Sequence, residues 1–134
     1  MVAELSPVDA LRRYWGYESF RELQGEAVDA ALAGRDCLLV LPTGGGKSLC
    51  YQTPAACGRG LVLVVSPLIS LLYVSPERVA GGDLASRLAA QLALIAIDEA
   101  HCVSHWGHDF RPEYRQLQAV FQQAPQVPRM ALTA

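Results

Sequence analysis

Apolar residues along this chain fall into short unbroken runs separated by stretches with helical spacing. The runs lie at residues 37–41, 61–66, 71–75, 92–97 and 129–133. They lack the alternation of a half-exposed strand, which indicates strands buried on both faces. Between them, Leu23, Ala27, Ala30 and Ala31 repeat every three or four positions and predict a helix over 22–33, stopped by Gly34. Ser6-Pro7-Val8-Asp9 predicts a helix start, with Ser as the cap, Pro at the first helical position and an acid at the third. That helix is expected to reach Trp15 and end at Gly16. Further helices are expected over 47–55 and 84–91. Strands interleaved with helices give an α/β fold, a mainly parallel sheet with helices on both faces.

One interval breaks the arrangement. Parallel neighbours need a connection of about a dozen residues or more, and between the runs at 61–66 and 71–75 only Pro67-Leu68-Ile69-Ser70 remains. Either the strand at Leu71 pairs differently or a crossover segment is missing. Loss of a segment, placed between Leu71 and Leu72, is the expectation.

Length and composition narrow the reading. With 134 residues the chain has room for one domain, and 51% hydrophobic against 18% charged residues is enough to fill a core. No apolar run approaches the ~20 residues of a membrane span. The first residues hold no basic stretch followed by an apolar one, so a cytoplasmic location is expected, nucleoid-associated if the source is bacterial. A net charge of −2 argues against one broad basic face, so contact with nucleic acid would be local. Lys47 is the only lysine of the chain. The cysteines Cys37, Cys50, Cys57 and Cys102 form no CxxC pair and read as reduced packing thiols rather than disulfide or metal ligands.

The chemistry concentrates in three places. Leu41-Pro42-Thr43-Gly44-Gly45-Gly46-Lys47-Ser48 lies between a predicted strand and a predicted helix, the setting of a phosphate-binding loop. Leu41 occupies the position of that loop's usual first glycine. Gly44, Gly45 and Gly46 would let backbone N–H groups, with Thr43, turn toward phosphate oxygens at a helix N-terminus. Lys47 would reach the β and γ phosphates, and Ser48 would place its hydroxyl on Mg²⁺. A plain surface turn is the competing reading. Downstream, the run at 92–97 delivers Asp98 and Glu99 at its carboxyl end, where ligands of open α/β sheets collect. Asp98 is placed to hold Mg²⁺ and Glu99 to deprotonate the water attacking the γ-phosphate; alternatively the two acids cap a following helix. The third place runs from His101 to Tyr114 and holds all three histidines with Trp106, Phe110 and Arg111. Those types stack on bases and pair with phosphates, while a metal site or simple packing under the loop stay open.

Together these residues resemble the first RecA-like domain of a RecQ-family DNA helicase of superfamily 2, which uses a relaxed phosphate loop without the first glycine. Asp98-Glu99-Ala100-His101 is similar to the family's second motif. Trp15-Gly16-Tyr17-Glu18-Ser19-Phe20-Arg21-Glu22-Leu23-Gln24 resembles its adenine-recognition motif. The resemblance implies that Gln24 reads the adenine edge, Arg21 assists and Tyr17 packs on the base. It also assigns DNA contacts to Ser66 and Pro67 in motif Ia, to Ser75, Glu77 and Arg78 in motif Ib, and to Trp106, Phe110 and Arg111 in the aromatic loop. Ala131-Leu132-Thr133-Ala134 looks like the start of motif III.

The implied activity is ATP- and Mg²⁺-dependent unwinding of DNA, single strands and duplex junctions, with 3′ to 5′ polarity. The resemblance places a second RecA-like domain and its arginine finger outside these residues. In related phosphoryl transfer such a finger supplies on the order of 10³ to 10⁵ in rate. This chain alone is therefore expected to bind ATP weakly, hydrolyse it poorly and not unwind a duplex. A truncated nucleotide- or DNA-binding remnant without catalysis is the alternative.

Overall fold

The computed structural model describes residues 4–42, 46–65, 73–74, 90–103 and 117–134. Helix α1, Pro7–Trp15, begins as the sequence dictates: the Ser6 side chain accepts a hydrogen bond from the Asp9 N–H, and Gly16 closes the helix at φ 74° with its N–H on Arg12 O. Helix α2, Gln24–Leu32, starts two residues later than the spacing suggests, because Leu23 takes a left-handed φ of 69°. Strand β1, Cys37–Val40, leads to helix α3, Lys47–Ala56, which continues past Pro54. Strand β2 is Leu61–Val65, β3 Tyr73–Val74 and β4 Leu92–Ile97. A 3-10 turn at Ala100–Val103, helix α4 at Leu117–Gln123 and strand β5 at Arg129–Thr133 complete the described elements. The helix expected over 84–91 falls largely outside the described residues; Ala90 and Gln91 lie in a turn. No described helix is long and apolar enough to cross a membrane.

The five strands form one parallel sheet in the order β1-β5-β4-β2-β3. Insertion of β5 between β1 and β4 brings the carboxyl ends of β1 and β4 to the same edge, one strand apart. One face packs Leu39, Leu41, Val64, Leu94, Ala96, Met130 and Leu132 against Ala27 and Ala31 of α2 and Cys50 and Tyr51 of α3. The opposite face packs Leu63, Val65, Ile95 and Ile97 against Ala124 and Val127, with Phe121 of α4 beside them. Leu94, Ile95, Met130 and Leu132 are fully buried. Each such side chain contributes ~1.5–3 kcal/mol by its removal from water.

The pairing of β3 answers the question the sequence left open: it lies parallel to β2, with Val64 opposite Tyr73 and Val65 opposite Val74. Only seven residues, 66–72, join the two strands. That length falls short of an ordinary crossover.

Candidate functional site

Backbone conformation at Gly46 shapes the start of α3. Gly46 caps the helix at φ 79°, a conformation that disfavours any side chain, and a Cβ there would run into the Nε2 of Gln24. Gln24 is 3% exposed. Its Nε2 donates to Gly46 O at 3.0 Å and its Oε1 accepts from the Arg21 N–H at 2.8 Å. The residue expected to read an adenine edge therefore clamps the main chain of α2's approach to the main chain of the loop. Tyr17 and Arg21 lie exposed on that same approach. Behind the loop, burial pushes the Cys50 thiol up to about 11, with a contribution from Cys37 and a partial offset from a backbone hydrogen bond. Cys37 and Cys57 are likewise free thiols.

Lys47, in the first turn of α3, directs its Nζ to Glu99 Oε1 at 3.7 Å. Both partners are partly buried. Glu99 sits at φ 54°, one of two non-glycine residues with positive φ among the described residues. Strain of this kind, ~1–3 kcal/mol, persists where the surroundings enforce it and gathers at functional sites. Two hydrogen bonds flank it: the Asp98 N–H donates to Val65 O at 2.9 Å, and the Glu99 N–H donates to the side-chain Oδ1 of Asp98 at 2.9 Å. On its other side, Glu99 Oε2 lies 3.3 Å from His101 Nδ1, which is 3.0 Å from Thr133 Oγ1. The ends of β4 and β5 and the first turn of α3 thus share one polar chain, from Lys47 through Glu99 and His101 to Thr133.

Asp98 is held above the usual carboxylate range, chiefly because burial penalises its charge. The Glu99 N–H, the Lys47 ammonium and a hydrogen bond from Tyr51 offset part of that, while the Glu99 charge adds to it. Tyr51 was not found from the sequence. Its signal is position: it stands one helical turn after Lys47 and so shares that face of α3. The raised value sets a sign for stability. The ionised Asp98 costs folding free energy above its folded pKa, and the cost disappears below the ordinary aspartate value. Asp98→Asn is therefore expected to raise the melting temperature at neutral pH, by an amount that shrinks as the pH falls toward about 4. A melting temperature unchanged or lowered at neutral pH would contradict the burial of that charge.

Ser48 is exposed in the first turn of α3. Thr43, Gly44, Gly45, Ser66, Pro67, Ser75, Glu77, Arg78, Trp106, Phe110 and Arg111 lie outside the described residues. Among the sequence-derived site residues that are described, Gln24 meets Gly46, and Lys47 meets Glu99 with Asp98 beside them.

A strand, a glycine turn and a helix that set one lysine against an acid at the end of a neighbouring parallel strand define a RecA-like P-loop domain. A family model described as "DEAD/DEAH box helicase" matches residues 21–75. The chain is 40% identical to the ATP-dependent DNA helicase RecQ of Haemophilus influenzae, with all of this chain and 28% of that protein covered. It is 39% identical to the RecQ-like DNA helicase BLM of Xenopus laevis, over 90% of this chain and 12% of that protein. The chain thus spans less than a third of either relative. Among solved structures, the helicase MrfA matches with a TM-score of 0.68 at 17% identity, covering 98% of this chain and 29% of that one, which is a likeness of fold. Over nearly its whole length the chain is thus similar in sequence to RecQ helicases. The Haemophilus alignment runs over 176 positions against a chain of 134 residues, so at least 42 positions face no residue here.

Proposed function

We propose that this chain is the ATP-binding domain of a RecQ-like, ATP-dependent DNA helicase. The observation that carries the reading is the meeting of Lys47 with Glu99 at 3.7 Å, with Asp98 beside them, at the carboxyl edge of a parallel sheet. The loop main chain around Gly46 and the Lys47 ammonium bind the triphosphate. Glu99 has a carboxylate oriented by Lys47 and His101, and accepts the proton of the attacking water. Its left-handed backbone turns that side chain away from the line of β4 and toward α3. His101 Nδ1 lies beside the second carboxylate oxygen and is itself bonded to Thr133 Oγ1, so a shift of β5 reaches the base through one imidazole.

The donors at hand fit Mg²⁺. They are all oxygen, from the Ser48 hydroxyl and the Asp98 carboxylate, and a half-buried carboxylate that burial penalises when charged gains from a neighbouring cation. When bound, Mg²⁺ would neutralise charge developing on the phosphate oxygens. DNA, as single strands and at duplex junctions, is the proposed partner, gripped through the motif Ia, motif Ib and aromatic-loop residues named above.

The test is binding of a fluorescent ATP analogue in the presence of Mg²⁺. Lys47→Ala removes a charge-assisted contact worth about 1.5–3 kcal/mol, so affinity is expected to fall at least ~10-fold. Equal affinity in the two proteins would remove the phosphate-loop assignment. A second reading, a nucleotide-binding remnant without turnover, is favoured by the seven-residue link between β2 and β3. It predicts binding that is sensitive to Lys47 and no hydrolysis at all.

A further inference from the structure

Within the ATP-binding reading above, on which this rests, we infer that Tyr51 is a positioning residue for the metal. Its hydroxyl fixes the plane of the Asp98 carboxylate, so that Asp98 and Ser48, carried on different elements, meet one Mg²⁺.

The two oxygen donors that fit Mg²⁺ come from separate parts of the fold. Ser48 stands in the first turn of α3, and Asp98 follows directly after β4. Mg²⁺ demands near-octahedral geometry at ~2.0–2.1 Å, so the helix and the strand end must keep a set separation and each donor a set direction. Tyr51 spans that gap. It lies three residues after Ser48 and four after Lys47, on one stripe of α3, and its hydroxyl bonds to the Asp98 carboxylate. Tyr51 is 2% exposed and belongs to the core cluster that holds Ala27, Val64, Leu94 and Ala96. A ring anchored in that way gives its hydroxyl a fixed place.

The carboxylate needs such a partner. Its terminal torsion is broad and roughly two-fold, and the Glu99 N–H, 2.9 Å from Oδ1, pins one oxygen only. A second hydrogen bond fixes the plane. An ionised carboxylate is an acceptor alone, so the tyrosine donates, and with about four acceptor positions on its two oxygens the group keeps room for a cation. Packing by itself does not call for the hydroxyl. Phenylalanine would fill the same space and leave no polar group to satisfy in the core.

The experiment measures affinity for a fluorescent ATP analogue with Mg²⁺, with Ca²⁺ and with neither metal, in the parent, Tyr51→Phe, Asp98→Asn and the double variant. Tyr51→Phe is expected to keep the metal-free affinity and to reduce the gain from Mg²⁺ by on the order of 10-fold, the usual cost of removing a group that orients a metal ligand. The gain from Ca²⁺, which accepts irregular oxygen sites at ~2.3–2.6 Å, should fall by less than ~3-fold. In the Asp98→Asn background the same change should alter neither gain, because the carboxylate it positions is gone. Equal losses with the two metals would mark Tyr51 as packing and overturn the inference. So would a Mg²⁺ gain that Tyr51→Phe leaves intact, or a further loss in the Asp98→Asn background. A parent whose affinity is indifferent both to Mg²⁺ and to Lys47→Ala would instead remove the ATP-binding reading, and the role of Tyr51 with it.

Discussion

Glu99→Gln is expected to abolish turnover while leaving nucleotide binding in place. Glutamine keeps the size of the side chain and loses the capacity to accept a proton. A positioned general base contributes ~10²–10⁴ in rate, and whatever hydrolysis the chain performs should fall by about that factor. The substitution also ends the Lys47–Glu99 ion pair. Because both groups keep contact with solvent, the loss in stability should stay below ~1 kcal/mol. Lys47 is then left free to serve the phosphates, so affinity for ATP should be equal to or above that of the parent. Steady-state hydrolysis and equilibrium binding measured on the same preparation check both halves. Retained turnover would move the base elsewhere, and an affinity loss as large as that of Lys47→Ala would make Glu99 a structural rather than a proton-accepting group. If the parent itself shows no turnover under any DNA or Mg²⁺ condition, the remnant reading replaces the motor reading.

Gly46→Ala is expected to be the most damaging single methyl in the site. Two penalties add. A left-handed backbone at φ 79° costs an L-residue ~1–2 kcal/mol, and the new Cβ collides with Gln24 Nε2. Gln24 is buried and bonded at both ends of its amide, so it cannot swing aside without leaving polar groups unmet. Each unmet group costs ~1–3 kcal/mol. Together the loss should reach ~3 kcal/mol, seen as a fall of roughly 6 °C or more in melting temperature, and ATP binding should go with it. Gln24→Ala in the same background opens the space and should return part of the lost stability. A double variant no better than Gly46→Ala alone would show that the clash is not the cause.

Local chemistry made much of this readable in advance. Ser6, Pro7 and Gly16 fixed α1 because capping depends on the residue itself and its neighbours within one turn. The parallel sheet followed from apolar runs, since burial on both faces leaves no polar alternation to see. The lysine and the two acids announced themselves by type and by position at strand and helix ends. What escaped depends on parts of the chain far apart in sequence. Gln24 on an amphipathic pattern looks like a surface residue, and only the approach of α2 to Gly46, 22 residues away, makes it a buried clamp. Tyr51 reads as a core aromatic until β4 brings Asp98 to its hydroxyl. The left-handed turn at Leu23, which delays α2, lies between Arg21 and Gln24, the two residues that the clamp's second hydrogen bond joins. The parallel pairing of β3 could not be inferred either, because the sequence argument found no room for an ordinary crossover.

The thiol behind the loop has a use of its own. Cys50 has no exposed surface, its Sγ lies 3.9 Å from Gly46 O, and burial raises its pKa to about 11, so the thiolate is scarce at pH 7. An alkylating reagent can therefore reach it only when α3 lifts from the sheet. The rate of labelling at Cys50, followed by mass after digestion, becomes a clock for opening of the region beneath the loop. It needs no engineered probe, and slower labelling on addition of nucleotide would measure how firmly a bound triphosphate keeps that region shut.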